Sequence, residues 1–455
     1  MKFRYLFFCL LIFSQTRAQF GQQRIISSDA RMARSVFAAD INGDGHQDVI
    51  VSARVGDFHI AWFENLDGAG NFGEPHVIED DFFDQIYIVV AADLDGDGDI
   101  DVLASARHTG EIVWYENLDG EGNFSAGKII DIIPKTKSVI AADVDWDGNL
   151  DIIGVSDNHG LFWFKNLDGN GNFSEQKIID GQIFSRSVVA VDFDGDGDLD
   201  ILISGTGNYK VSWYENLDGQ GNFGPKQIID GTGMSAYMVA AGDINGDGAM
   251  DIVFAASGDD EVAWFENLDG LGNFGSKNVI SNNVGNATAV YIADLDNDGD
   301  LDVLATSIEV YGGEVVWFEN LDGAGNFSEK KVISTEVMSP YSVIAADIDG
   351  DGDMDVVSAS QNDNKVAWYR NQTLRVDDFQ KDVFNVFPIP SNDKVFIDSK
   401  LYKIRQITVF DMLGQNVMQF EGNHLEIELS QLPVGMYFMH IKTDQETVVR
   451  KIIKN

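Results

Sequence analysis

At 455 residues, with 44% apolar and 11% aromatic content, the chain is too long for one ordinary core and too apolar to be disordered. Its formal charge of −43 at pH 7 excludes nucleic acid as a partner, since phosphate binding needs a basic surface, and disfavours adsorption to anionic lipid.

The chain starts with MKFRYLFFCLLIFSQTRAQF, which has a basic beginning, an apolar run from Tyr5 to Phe13 and a small-residue cleavage site at Thr16-Arg17-Ala18. That run is too short to span a bilayer, so residues 1–18 are expected to be a signal peptide, with no transmembrane segment in the mature chain. The only cysteine, Cys9, lies within the run, so the mature protein would have no disulfides. An exported β-rich fold then needs another staple.

From Asp40 onward one pattern returns at intervals of 49 to 53 residues: DINGDGHQDV at Asp40, DLDGDGDIDV at Asp93, DVDWDGNLDI at Asp143, DFDGDGDLDI at Asp192, DINGDGAMDI at Asp243, DLDNDGDLDV at Asp294 and DIDGDGDMDV at Asp347. Each of the seven units reads as four short strands. In the first they fall near residues 35–40, 48–53, 59–65 and 72–78, rich in β-branched and aromatic side chains. The last two are joined by NLDGAGN, a tight hairpin on Asp67-Gly68, and WFENLDGAGNF has near copies in five further units. Four-stranded units at this period predict a β-propeller of seven blades rather than a β-helix, whose repeats are much shorter.

Two details agree with a closed ring. The first strands end in pairs such as Ala38-Ala39, Ala91-Ala92, Ala141-Ala142 and Ala345-Ala346, small enough for the crowded innermost position. The seventh unit stops at WYRN, residues 368–371, without hairpin or fourth strand, while FGQQRII from Phe20 aligns with FGEPHVI from Phe72. The mature N-terminus is therefore expected to be the outer strand of the last blade, removing two open sheet edges. Trp62, Trp114, Trp163, Trp213, Trp264, Trp317 and Trp368 recur at one place in every unit and read as inter-blade core, not sugar platforms. Trp146 stands inside the third acidic loop and has no counterpart.

Within each acidic loop, carboxylate or amide side chains occupy positions 1, 3, 5 and 9, and position 6 is glycine. Hard oxygens at alternating positions of a tight turn converge on one cation, and glycine permits the bend. The expected ligands are Asp40, Asn42, Asp44 and Asp48; Asp93, Asp95, Asp97 and Asp101; Asp143, Asp145, Asp147 and Asp151; Asp192, Asp194, Asp196 and Asp200; Asp243, Asn245, Asp247 and Asp251; Asp294, Asp296, Asp298 and Asp302; and Asp347, Asp349, Asp351 and Asp355. Calcium (Ca2+) is the expected occupant of about seven sites, because magnesium demands stricter octahedral geometry and softer metals want His or Cys. The loops are not EF-hands: position 12 holds residues such as Val51, Ala104 and Phe254 instead of a bidentate glutamate. A solvated Asp-Gly turn would explain one such loop, but seven of one spacing point to metal as the missing staple.

After residues 372–382, which read as a linker, the pattern changes. Residues 383–455 form short alternating runs expected to fold as a small β-sandwich, with Gly414 in a hairpin turn and a basic end at Arg450, Lys451 and Lys454. The expected fold class is all-β: a seven-bladed β-propeller with Ca-binding loops over residues 19–371, then the C-terminal sandwich.

The D-x-[DN]-x-D-G-x-x-D loops and W-[FY]-E-N-L-D-G-x-G-N-F hairpins, spanning Phe20 to Asn371, resemble the FG-GAP-like (VCBS) repeat family, related in architecture to the integrin α-subunit propeller. The resemblance implies calcium in the loops and leaves function open, because lectin-like, adhesion and polysaccharide-lyase propellers occur among such proteins. VFDMLGQNV, LSQLPVGMYFMHI and the terminal RKIIKN resemble the C-terminal sorting domain of type IX secretion substrates of Bacteroidota, although the usual Tyr-Pro-Asn-Pro is FPIP here. That resemblance implies the type IX secretion machinery as a partner and a secreted or outer-membrane-attached product.

In an antiparallel blade, the acidic loops and NLDGxGN hairpins fall on one face, and the variable links fall on the other. A regular face supports; a varied face can recognise. The varied links carry Arg34, Arg54, His59, Arg107, His108, Lys135, Lys137, His159, Phe184, Arg186, Tyr209 and Lys210, groups able to stack on sugars and pair with carboxylate or sulfate. Arg54, His59, Arg107, His108, His159, Arg186 and Tyr209 are the candidate ligand residues. The leading expectation is a monomeric, non-catalytic binding or adhesion module for a glycan or surface protein. A polysaccharide lyase would need a His or Tyr base and an Arg to neutralise a uronate, with His59, His108, His159 or Tyr209 and Arg54, Arg107 or Arg186 as candidates. Purely structural display at the surface is the third reading. No nucleophile elbow, phosphate loop or zinc motif occurs in the sequence.

Overall fold

The computed structural model describes residues 19–54, 58–80, 86–181, 184–205, 211–230, 235–309, 312–372, 384–387, 391, 394–399, 403–411, 416–433, 435–443 and 447–454. The expected signal peptide, Tyr209, Lys210, Gly414, residues 388–390 and the linker beyond residue 372 lie outside the described residues. Among those described there is no helix, and every strand ladder is antiparallel. The chain divides into two compact units, Met1–Gln372 and Thr373–Asn455.

The first unit contains seven four-stranded sheets, arranged as in a β-propeller. The repeat dictates their build: an apolar, β-branched run, the acidic loop, a second buried run, a variable link, the Trp-bearing third strand, the hairpin and an exposed fourth strand. The first sheet is Ser35–Ala39, Asp48–Ser52, Ile60–Asn65 and Phe72–Glu79, in spatial order. The second is Ile86–Ala92, Asp101–Ala106, Glu111–Tyr115 and Lys128–Ile132. The first strands of successive sheets touch one another around a closed cycle, the seventh returning to the first.

The seventh sheet is Pro340–Ala346, Asp355–Ser360 and Lys365–Tyr369, with Arg24–Ser27 from the other end of the unit as its outer strand. Arg24 lies opposite Trp368, and Phe20 bridges to Asn371. Between sheets the core is apolar: Ile41, Ile50, Ile60 and Trp62 of the first pack with Ile86, Val89, Val102, Val113 and Tyr115 of the second. All seven recurring tryptophans are buried.

The second unit has a three-stranded sheet, Phe384–Phe387, Lys394–Ser399 and Glu426–Glu428, and a four-stranded one, Asn416–Glu421, Ile404–Asp411, Gly435–Thr443 and Thr447–Lys454. Val395, Ile397 and Ile427 from the first share one core with Ile407, Val409, Met439, Ile441 and Ile452 from the second.

Candidate functional site

The acidic loops connect the first and second strands and share four backbone N–H hydrogen bonds in all seven sheets. The glycine at position 6 takes φ between 87° and 99°, a region that favours glycine. Its N–H donates to the position-1 aspartate at 2.9–3.1 Å. The position-5 aspartate accepts from the N–H two residues on at 2.8–3.0 Å. These bonds fix the position-1 and position-5 carboxylates against the turn.

The position-9 aspartates are buried, and each carboxylate is held at both oxygens. One accepts the N–H of the asparagine at the end of the third strand at 2.6–2.8 Å. The other accepts the N–H at loop position 2 at 3.0–3.3 Å. Burial pushes these carboxyls up, to about 6 for Asp48, Asp151 and Asp251, about 7 for Asp101, Asp200 and Asp302, and about 8 for Asp355. At position 3, burial and then the neighbouring position-5 carboxylate raise Asp95, Asp194, Asp296 and Asp349, the last two to about 6.

Crowded, half-buried carboxylates of this kind want a cation, and the residues present fit calcium. Ligand oxygens of Asp93, Asp95 and Asp101 lie within 4.8 Å of one another, as do those of four further triads: Asp143, Asp145 and Asp151; Asp192, Asp194 and Asp200; Asp294, Asp296 and Asp302; and Asp347, Asp349 and Asp351. Buried Oδ1 atoms of Asp95, Asp145, Asp294, Asp296, Asp347 and Asp349 have no hydrogen-bond partner. The donor set is all oxygen, as hard cations require. Asn42 and Asn245 replace the position-3 carboxylate in the first and fifth loops, where their amides donate to Asp44 and Asp247 at 3.3 and 3.0 Å.

Two loops differ in a way that the loop spacing does not disclose. The residue before that asparagine is glutamate in five sheets, but Lys165 in the third and Arg370 in the seventh. Lys165 pairs with Asp145, and with Asp147 at 2.9 Å. Arg370 reaches Asp349 at 2.5 Å and Asp351 at 2.8 Å. In those loops a side-chain cation sits on the acidic cluster, whereas Glu116, Glu215 and Glu319 stand beside Asp95, Asp194 and Asp296, Glu116 and Glu319 being themselves paired with Lys128 and Lys331. Trp146, at position 4 of the third loop, is 63% exposed with φ of 56°, where five of the other loops have glycine and one has Asn297.

Sequence reasoning also missed the asparagine at the end of each third strand, which opens a hairpin in six of the seven sheets. Asn65, Asn117, Asn166, Asn216, Asn267, Asn320 and Asn371 are buried, and each side-chain amide donates to the position-2 carbonyl of the preceding sheet's loop at 2.6–3.0 Å. The seven bonds tie each acidic loop to its neighbour around the cycle. Their one available signal was the asparagine repeated in every unit.

On the opposite face the candidate ligand residues do not form one cluster. Arg54 follows a second strand, His59 precedes a third, and His108 and His159 stand on the links of two other sheets. Arg107 and Arg186 do converge, lying 5.4 Å over the Tyr87 ring and 4.6 Å over the Tyr237 ring. Lys137 and Arg186, read from sequence as parts of links, stand within first strands.

Comparison with known families matches FG-GAP-like repeats at residues 40–104, 93–154, 147–203, 196–254, 243–305 and 307–358. Residues 385–455 match a secretion system C-terminal sorting domain. A search of curated protein sequences gave no match. Among solved structures, BBS1N in complex with ARL6DN, soaked with lead, is similar at TM-score 0.55 and 10% identity, over 79% of this chain and 99% of that one. Saccharomyces cerevisiae Sqt1 aligns at TM-score 0.48 and 8% identity, over 96% of this chain and 100% of that one. At such identity the first likeness speaks to the fold alone.

Proposed function

The chain belongs to the FG-GAP-like repeat family and ends in a secretion system C-terminal sorting domain, and from that premise we propose an exported, calcium-stapled, seven-bladed propeller that binds an extracellular glycan without cleaving it. The sorting domain marks the protein for export by type IX secretion to the cell surface or extracellular space. Residues 1–18 serve as signal peptide, residues 19–371 as a monomeric binding propeller, residues 372–382 as linker and residues 383–455 as the sandwich-like secretion tail.

In this reading calcium ions sit among the position-1, 3, 5 and 9 oxygens, where they neutralise charge and cross-link the inner strands. The protein's own part is to hold those oxygens in place through the glycine N–H, the buried position-9 clamp and the asparagine bonds between sheets.

The observation that carries the binding role is the contrast between faces. One end of every sheet repeats a single hydrogen-bond scheme and supports the ring. The other end is irregular and, in a chain of charge −43, gathers Arg107, Lys137 and Arg186 around tyrosine rings. Such groups suit acidic sugars. The test is to incubate the full chain with calcium against acidic and neutral polysaccharides, following retention and chain length. Retention on acidic polymers at constant chain length is the expected result. Shortened chains would make the protein a depolymerase, and no retention would turn attention to protein partners.

A further inference from the structure

The residue six positions before each loop's first aspartate forms a set with one member from every sheet: Arg34, Tyr87, Lys137, Arg186, Tyr237, Thr288 and Tyr341. All seven line a single cavity of about 440 Å³ bounded by the first strands. That volume is in the range of small-molecule sites. Backbone geometry brings them there. In six sheets the strand register shifts across this residue, as between Ile86 and Ile88 or between Ala236 and Met238, so that it is the extra residue of a β-bulge. A bulge re-aims its side chain away from the ordinary alternation. Two residues upstream, Met32, Lys135, Ser235, Asn286 and Ser339 hold positive φ, between 48° and 64°. Non-glycine residues pay for such conformations only where the surroundings impose them, and functional sites are where they gather.

The chemistry of the set is that of an anion trap with aromatic walls. The Arg34 guanidinium lies 4.0 Å over the Tyr87 ring and 3.9 Å over the Tyr341 ring. It donates to the hydroxyls of Tyr87 and Tyr237, the latter at 2.9 Å, and to Gln361 Oε1 at 3.3 Å. Lys137 pairs with Asp157 at 3.0 Å. Burial lowers the Lys137 ammonium, Asp157 works against that, and Arg107 and Arg186 push it down further. Three cations thus converge from the ring, with Arg107 nearby and Asp157 the carboxylate that reaches Lys137. In a half-buried, low-dielectric mouth an incoming anion relieves that repulsion, and its hydrogen bonds gain strength.

We propose that this end of the cavity between the first strands binds the carboxylate or sulfate of an acidic saccharide, Arg34, Lys137 and Arg186 holding the anion while Tyr87, Tyr237 and Tyr341 flank the sugar ring. The inference rests on the glycan-binding reading above and adds the place and the class of sugar. It also separates the ring from His59, His108 and His159, which stand on links outside it.

Calorimetric titration of the full chain in calcium tests it, with an oligogalacturonate, a sulfated oligosaccharide, a neutral glucan oligosaccharide and an acidic peptide as probes. At least one acidic saccharide should bind, and the neutral one should not. Arg186→Gln and Arg34→Gln should each weaken binding about tenfold or more, since each removes a charge-assisted contact. His159→Ala should leave it unchanged. Tyr237→Phe, which keeps the ring and removes the hydroxyl, gives a milder loss and serves if Arg34→Gln melts early. Acidic-saccharide binding that survives Arg34→Gln and Arg186→Gln in stably folded protein overturns the ring as the site while leaving a glycan-binding face. Binding of the acidic peptide alone, or of none of the four probes, overturns the glycan reading itself.

Discussion

On the calcium proposal, Lys165 and Arg370 would set how many metal ions the acidic loops take. A calcium ion entering the third or seventh loop would have to displace a protein cation from two carboxylates, while in the other five loops a glutamate stands in that place and no lysine or arginine sits on the carboxylates among the described residues. Like charges held a few ångströms apart in a partly buried site repel by several kcal/mol, of the order of 4 kcal/mol at an effective dielectric of about 20. At micromolar free calcium the protein should therefore retain about five ions, the seven loops less the two with a built-in cation. Lys165→Glu with Arg370→Glu should raise the count to about seven, as read by metal analysis after dialysis. An unchanged count would show that these side chains swing aside at no cost. Trp146 makes a different point at the same scale: a bulky, exposed side chain at φ of 56° is strained, and its counterparts are six small or turn-forming residues. Trp146→Gly should raise stability by about 1 kcal/mol, seen as a higher denaturation midpoint.

Each hairpin acts as a clasp on the preceding sheet. Its second glycine lies against the tryptophan of that sheet, so closely that an added Cβ would come within 2.1–2.4 Å of the indole. Phe20 meets Trp317 edge to face at 5.9 Å, so the tryptophan of the sixth sheet is covered from the N-terminal segment, where the seventh unit has no hairpin. Trp114→Ala should cost about 3–5 kcal/mol in denaturant unfolding. Gly171→Ala, which drives a methyl into that same indole at φ of 70°, should be strongly destabilising without removing any apolar group. Wild-type stability for Gly171→Ala would mean that the clasp is loose. Much of this level was legible. The tryptophans, the acidic spacing and the match of FGQQRII to FGEPHVI are local patterns that repeat, and repetition exposes them. Asn117 was not, because an asparagine beside a turn reads as turn chemistry, and its bond to Ile41 spans two units of sequence. The cavity set was half legible for a similar reason. Arg34, Lys137 and Arg186 stood out as cations, but the bulges break the period-2 alternation that would have placed Tyr87, Tyr237 and Tyr341 beside them.

For the whole molecule, the calcium proposal predicts that stability depends on the ion and on pH together. The seven position-9 carboxyls are raised by burial from an ordinary 3.8 to about 6 to 8, so the folded chain binds their protons more tightly than the unfolded chain. Without metal, stability must then fall as pH rises from 3.8 through those values, in the same direction as the self-repulsion of a chain at −43. The hairpin aspartates have the opposite sign: the side-chain amide four residues on holds Asp67, Asp119, Asp168, Asp218, Asp269 and Asp322 below 3.8, and the stability they add is lost only as pH falls through that lower range. Calcium, if it is the staple proposed, would reverse the neutral limb by binding the ionised carboxylates. Each site held at a hundred times its Kd would add about 2.7 kcal/mol, against about 5–15 kcal/mol for a typical domain, so emptying a few would be enough to unfold the ring. Melting curves should show the chelated protein more stable at pH 5 than at pH 8, and the calcium-loaded protein more stable at pH 8 than at pH 5. A melting temperature indifferent to chelation at pH 8 would mean that the asparagine bonds and tryptophan clasps hold the ring unaided, and that calcium is not its staple.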